Sequence, residues 1–201
     1  MRQKNLLPLI FAVVPALSSA TTWQIEPNHT FAHFSVRHMM VSNIRGQFSK
    51  IRGTIVLDDA DVTRSSIEAT IDASTIDTAQ PDRDKDLRSP NFFDVEKYPS
   101  ITFKSKSVRL TGPNKYTVEG DLTMHGVTKP VTLDVEATPA VKDPYGNERR
   151  GAEATAKLNR RDFGLNWSHT LADGAAIVGD EIQIMLDIEA IHKAESAPES
   201  K

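Results

Sequence analysis

The residues able to do chemistry in this chain are few and poorly grouped. Six histidines are scattered along it and cysteine is absent, which excludes a thiol nucleophile and a thiolate metal site. His29 and His33 fall on one face of an alternating strand, with Arg37 following at the same interval. At strand rise those two rings stand roughly 13–14 Å apart, too far to share an ion. Structural hydrogen bonding is their expected role, and no metal site is predicted. His125 opens a His-Gly-Val-Thr turn, where a bond between ring and backbone is expected. Asp82-Arg83-Asp84-Lys85-Asp86 packs five charges in succession. Carboxylates so placed suit acid–base work, yet nothing nearby supplies a nucleophile or an oxyanion donor. Arg83 and Arg88 are better binding candidates, because a guanidinium fork grips phosphate with two bonds. Arg160-Arg161-Asp162 offers a second cationic point at a strand end. The chain carries no Gly-x-Ser-x-Gly elbow, no His-Glu-x-x-His, no phosphate-cradling glycine loop and no dinucleotide fingerprint. No catalytic residue is predicted, and the expectation is a protein that is not an enzyme.

The elements that must position these residues are strands. Apolar residues recur at every second position through most of the chain, the period of a sheet with one face buried. Ala32, Phe34, Val36 and His38 share a face; so do Ile67, Ala69, Ile71 and Ala73. Val118 to Met124, Val131 to Ala137, Ala152 to Leu158 and Ile182 to Ala190 repeat the pattern. Ile101 and Phe103 are out of phase with Val108 and Leu110, which predicts a bulge between Lys104 and Ser107. Gly46 and Gly53, within one extended run, predict bends or bulges. About eight long strands joined by hairpin-length links predict one all-β antiparallel domain, a sandwich or a closed barrel. Length favours the barrel, since its tilted strands run to ten residues or more against a usual five or six. So does the small-residue face Ala152, Ala154, Ala156, which leaves interior room unless an aromatic such as Phe92 or Trp167 fills it. From Thr78 to Phe103 the alternation stops. The charged run, Leu87 and Phe92-Phe93 predict a partly helical cap over something apolar, at about residues 82–94.

Residues 1–20 have the pattern of a signal peptide. Arg2 and Lys4 precede a short apolar run, and Ser18-Ser19-Ala20 supplies small residues for cleavage after Ala20. The run is too short to span a bilayer comfortably. Removing it changes 24 basic residues to 22 against 27 acidic ones, a net charge near −5. A mildly acidic chain does not suggest nucleic acid, which needs a concentrated basic surface. The domain is expected over residues 21–192, followed by a disordered tail over 193–201.

Several motifs, in order, resemble the YceI family of polyisoprenoid-binding proteins. They are Trp23-Gln24-Ile25-Glu26-Pro27-Asn28-His29-Thr30, Phe34-Ser35-Val36-Arg37-His38-Met39 and Gly46-x-Phe48. Arg83-Asp84, Leu87-Arg88-Ser89-Pro90, Phe92-Phe93-Asp94 and Tyr98-Pro99-x-Ile101-x-Phe103 follow. Gly120 to Pro130 and Asn159-Arg160-x-Asp162-Phe163-Gly164 complete the set. Asp86 stands where many members carry a histidine, so that histidine's role does not transfer.

The resemblance implies an eight-stranded antiparallel lipocalin-like barrel, exported to the periplasm and dimeric. Its interior would take the tail of an isoprenoid diphosphate or a quinone, with no other cofactor. Each buried five-carbon unit would contribute roughly 3–4 kcal/mol gross, less the costs of association. On this reading Phe34, Val36, Phe92, Phe93, Phe103, Phe163 and Trp167 are candidates for the tail. Arg37, His38, Arg83, Asp84, Arg88 and Arg161 are candidates for the head group. Two rival roles stand beside that of carrier or reservoir. One is a hydrolase or isomerase using Asp84, Asp86 or His38 on the bound lipid. The other is an accessory protein that docks on the membrane or on a cytochrome b561-type partner through the barrel rim.

Overall fold

The computed structural model describes residues 20–172 and 174–193. The expected leader and tail lie outside them, apart from Ala20 and Lys193. The strands are β1 (Thr21–Ile25), β2 (Phe31–His38), β3 (Ser42–Phe48), β4 (Ile51–Leu57), β5 (Ser66–Asp72) and β6 (Ser100–Gly112). They continue with β7 (Lys115–Met124), β8 (Val127–Ala137), β9 (Val141–Lys142), β10 (Glu148–Asn159) and β11 (Val178–His192), and helix α1 spans Pro81–Arg88. All pairings are antiparallel, and β10 runs against β11 from Glu148↔His192 to Asn159↔Glu181, which closes the sheet.

Eleven strands make eight staves because three staves are broken: β1 with β2, β3 with β4, and β8 with the short β9, which both pair with β10. Along one edge β11 pairs first with β2 and then, at Ala190 and Ile191, with β1. Pro27 cannot donate to a ladder, and the chain bridges the gap with a side chain. Glu189 N–H donates to the Thr30 hydroxyl at 3.1 Å, and that hydroxyl faces Glu189 O at 3.3 Å. The neighbouring stave, β3 with β4, breaks at Ser49-Lys50, where Lys50 has φ 55°. There the Thr75 hydroxyl accepts from Ser49 N–H at 3.0 Å.

Gly46 and Gly53 therefore serve a different purpose from the expected bends. Register is continuous through both. A Cβ on Gly46 would lie 2.4 Å from Phe34 Cζ, and one on Gly53 would lie 2.1 Å from the Glu68 carbonyl oxygen. Both positions are close approaches between neighbours. The bulge between Lys104 and Ser107 is where the phase change located it: pairing with β7 shifts between Ser105 and Ser107.

The helix is shorter than the segment expected. Pro81 occupies its first turn, the Gln80 side chain accepts from Arg83 N–H at 2.7 Å, and Ser89-Pro90 ends it. Residues 89–98 continue as turns, with Phe92 N–H on Ser89 O and Phe93 N–H on Leu87 O, both at 3.0 Å.

The turn between β9 and β10 makes stability depend on acid. Asp143 accepts from Tyr145 N–H at 2.9 Å, Asn147 N–H at 3.0 Å and Arg149 Nε at 2.9 Å. Bonds from Asn147 above all, then from Arg149 and the turn backbone, lower its pKa from 3.8 to about 2 against the effect of burial. A depressed carboxyl contributes fully above its unfolded value, about pH 4, and loses that contribution as pH falls toward 2. Melts of the wild type and Asp143→Asn should differ at neutral pH and converge near pH 2. Equal melting temperatures at neutral pH would show that the charge does not stabilise this turn.

Candidate functional site

The inward faces of the staves enclose an apolar cavity of about 350 Å³, within the ~300–1,000 Å³ usual for small-molecule sites. Small side chains create the room. Ala69, Ala152, Ala154, Ala156 and Ala190 line it together with Ile67, Leu122, Val131, Leu133, Ile184 and Leu186.

Antiparallel order defines two ends. At the end where β5 and β10 finish and β6 and β11 begin, the barrel is packed solid. Ile76, Phe163, Leu165 and Phe48 are buried there. Phe93, from the segment after α1, meets Phe48 edge-on at 5.5 Å, and Phe48 meets Phe34 at 5.9 Å. The lining continues to the opposite end, where β4, β6 and β8 finish. Leu57, Leu110, Tyr116, Ala137 and Arg150 lie there with Asp58, Asp59 and Val62 of the following loop.

The sequence candidates divide accordingly. Phe34 and Phe103 line the cavity. Phe93 and Phe163 belong to the packed plug. Phe92 and Trp167 stack on each other at 5.4 Å, with His169 edge-on to Trp167 at 4.9 Å, outside the lining. Val36 also lies outside it, paired with Ile44 and Ile182.

None of the six head-group candidates touches the cavity; all lie at the plugged end. Asp84 is 6% exposed and accepts from both the hydroxyl and the N–H of Thr78, the latter at 2.9 Å. Arg83 donates to the Thr78 hydroxyl at 2.7 Å and its carbonyl at 2.8 Å. Arg88 donates to Ser74 O at 2.8 Å and Ile76 O at 2.7 Å. Together these three side chains fasten α1 to the connection that leads into it from β5. Arg37 closes the β2–β3 turn on Met40 O at 3.1 Å and Asn43 Oδ1 at 3.3 Å, and His38 ends β2 opposite Ser42. Arg161 pairs with Asp180 at 2.8 Å. Asp86 accepts from Asn91 Nδ2 at 2.8 Å.

The neighbouring Arg160 is the more deeply placed of the two arginines, at 4% exposure. It donates to the Leu165 carbonyl, to Trp167 O at 2.8 Å, to Gly179 O at 2.9 Å and to Asp180 at 2.8 Å. Burial pushes its pKa down and the Asp180 carboxylate opposes this. The histidines have local partners: His29 with Glu26 at 2.7 Å, His33 with Asp187 at 3.1 Å, and His125 with the Phe163 carbonyl at 3.2 Å.

The polar lining at the far end was not foreseen. Trp23 and Arg150 sit there, with the Arg150 guanidinium over the Trp23 ring at 5.2 Å. A signal existed in the alternation itself. Arg150 is in phase with Ala152, Ala154 and Ala156, and Trp23 with Ile25, so both point inward.

Comparison with known proteins agrees with this architecture. The YceI-like domain profile matches residues 23–190. Protein YceI of Salmonella newport is 33% identical over 196 residues, covering 95% of this chain and 99% of its own. The crystal structure of the Campylobacter jejuni YceI protein superposes with a TM-score of 0.66 at 29% identity, over 79% of this chain and 90% of that one. A polyisoprenoid-binding domain from Saccharophagus degradans shares the fold at 12% identity, with a TM-score of 0.62 over 86% of this chain and 99% of its own. With a profile match over nearly all of the barrel and a relative aligned end to end, this chain belongs to the YceI family.

Proposed function

We propose that this protein binds an isoprenoid lipid in its barrel and serves as a periplasmic carrier or reservoir, without catalysing a reaction. The observation that carries the reading is the continuous apolar lining of a cavity plugged at one end. A prenyl tail needs a dry tube and little else, since its affinity comes from burying CH₂ groups at ~0.8 kcal/mol each. A relative in fold described as a polyisoprenoid-binding domain supports the ligand class. The leader-like first twenty residues support export, and family resemblance supports a dimer. The hydrolase alternative gains nothing from the geometry, because Asp84, Asp86 and His38 lie outside the cavity. Native mass spectrometry of protein purified gently from its host should show a co-purifying prenyl lipid. No lipid, together with no binding of added polyprenyl diphosphate or ubiquinone, would overturn the reading.

One observation favours membrane contact as a second property. The β2–β3 turn exposes Met39, Met40 and Val41, at 37%, 60% and 80%. Three adjacent exposed apolar side chains suit shallow insertion at a lipid surface. Flotation with vesicles should weaken when all three become serine; unchanged flotation would remove this property.

A further inference from the structure

Two buried donors in the cavity wall have no acceptor. Among the described residues, Trp23 Nε1 and Arg150 Nε are the buried side-chain polar atoms without a hydrogen-bond partner. Such groups are rare in folded proteins, because each forfeits its bonds to water without replacement. Trp23 is 3% exposed, so bulk solvent does not reach its indole. The remaining surroundings of the pair are occupied. The Trp23 ring lies between the Arg150 guanidinium at 5.2 Å and the His192 ring at 5.6 Å. His192 Nδ1 is itself bonded to Thr22 O at 2.9 Å. Two orphaned N–H groups, on a guanidinium and an indole that lie 5.2 Å apart in the cavity lining, lack an acceptor oxygen that the protein does not supply.

The charges nearby limit what that oxygen belongs to. Asp59 lies 3.8 Å from Arg150 Nη2, and Asp58 lies 2.6 Å from Arg64 Nη2. Asp61 adds another carboxylate, 3.8 Å from Arg64 Nε. Of the charged residues that line the cavity at this mouth, two are carboxylates, Asp58 and Asp59, and one is a guanidinium, Arg150, so a diphosphate would meet no net positive field. An uncharged acceptor meets no such opposition and still satisfies the donors.

We propose that Trp23 Nε1 and Arg150 Nε bind an uncharged acceptor oxygen, of the carbonyl kind found on a quinone ring, at the end of the barrel opposite α1. The polar group then sits at this mouth while the prenyl tail runs toward the plug formed by Phe48, Phe93 and Phe163. This rests on the cavity being the lipid site and adds to it the ligand's orientation and head-group chemistry. The arginines of the capped end are already engaged, Arg37, Arg83 and Arg88 with backbone carbonyls and Arg161 with Asp180, and take no part.

The test uses three probes on the whole protein: a benzoquinone with a ten-carbon tail, the acceptor-free prenyl hydrocarbon squalene, and farnesyl diphosphate. In ¹⁵N-indole spectra, assigned with Trp167→Phe, the quinone should move the Trp23 N–H resonance and squalene should move it much less. Trp23→Phe keeps an aromatic side chain but removes the donor together with the five-membered ring that carries it. It should weaken quinone binding roughly three- to tenfold, the effect of one net hydrogen bond, and leave squalene binding unchanged. Equal Trp23 shifts with quinone and squalene overturn the donor site while leaving the cavity reading intact. Farnesyl diphosphate binding more tightly than the quinone, with the same loss in Trp23→Phe, overturns the uncharged head group. Failure of all three probes to bind overturns the cavity reading and this inference with it. The spectra of the unmutated protein decide the matter even if Trp23→Phe does not fold.

Discussion

Replacing Arg160 with alanine should destabilise the protein by about 3–5 kcal/mol, the usual cost of removing one partner from a buried charge network. The effect is large because one guanidinium satisfies the carbonyls of Leu165, Trp167 and Gly179 as well as the Asp180 carboxylate. Without it those oxygens stay partly buried, and the segment linking β10 to β11 has nothing at its centre. Arg160→Lys should recover little, since an ammonium cannot reproduce the planar fork. Melting temperature should fall on the order of 10 °C. Chemical denaturation of both variants checks this, and a loss below about 1 kcal/mol would mean that water takes over the bonds.

Filling part of the cavity should weaken lipid binding by roughly two to three orders of magnitude while sparing the fold. Ala154 is 1% exposed, lines the cavity, and pairs with Val135 on one side and Leu186 on the other. In Ala154→Phe the ring would enter empty volume, so the overpacking that usually accompanies such a change is reduced. It would displace about one five-carbon unit of tail, roughly 3–4 kcal/mol of burial, or two to three orders of magnitude in affinity. Glu153→Phe, one residue away on the exposed face, should leave affinity unchanged. Titration of both variants with the same prenyl lipid checks this. If Ala154→Phe binds as the wild type does, the cavity is not where the lipid goes.

The difference between these two sites shows how the chain can be read in advance. Inward and outward faces were legible because alternation is a local property of the backbone, and Ala152, Ala154 and Ala156 stood out on one face. The phase change before Val108 located the β6 bulge for the same reason. Gly46 and Gly53 were not legible as close approaches, because a glycine that bends its own strand and one that admits a neighbour look alike. The break at Ser49-Lys50 was hidden because it depends on Thr75, 26 residues after Ser49 in the chain and held by another element.

The charged residues show the limit most clearly. Arg83, Arg88 and Arg161 have the chemistry of anion binding and Asp84 that of a hydrogen-bond acceptor, yet the fold directs them onto Thr78, Ser74, Ile76 and Asp180. A side chain's type states what it can bond to; only the tertiary arrangement states whether a protein group has already taken that bond. Trp23 and Arg150 show the converse, donors of ordinary type left without an acceptor by their surroundings. Family membership, the all-β architecture and the inward faces were in the amino-acid sequence, because order of motifs and period along a strand are local. Which end of the barrel is plugged, and which polar groups stay unpaired inside it, depends on contacts between residues far apart in the chain, and these exist only once the barrel has closed.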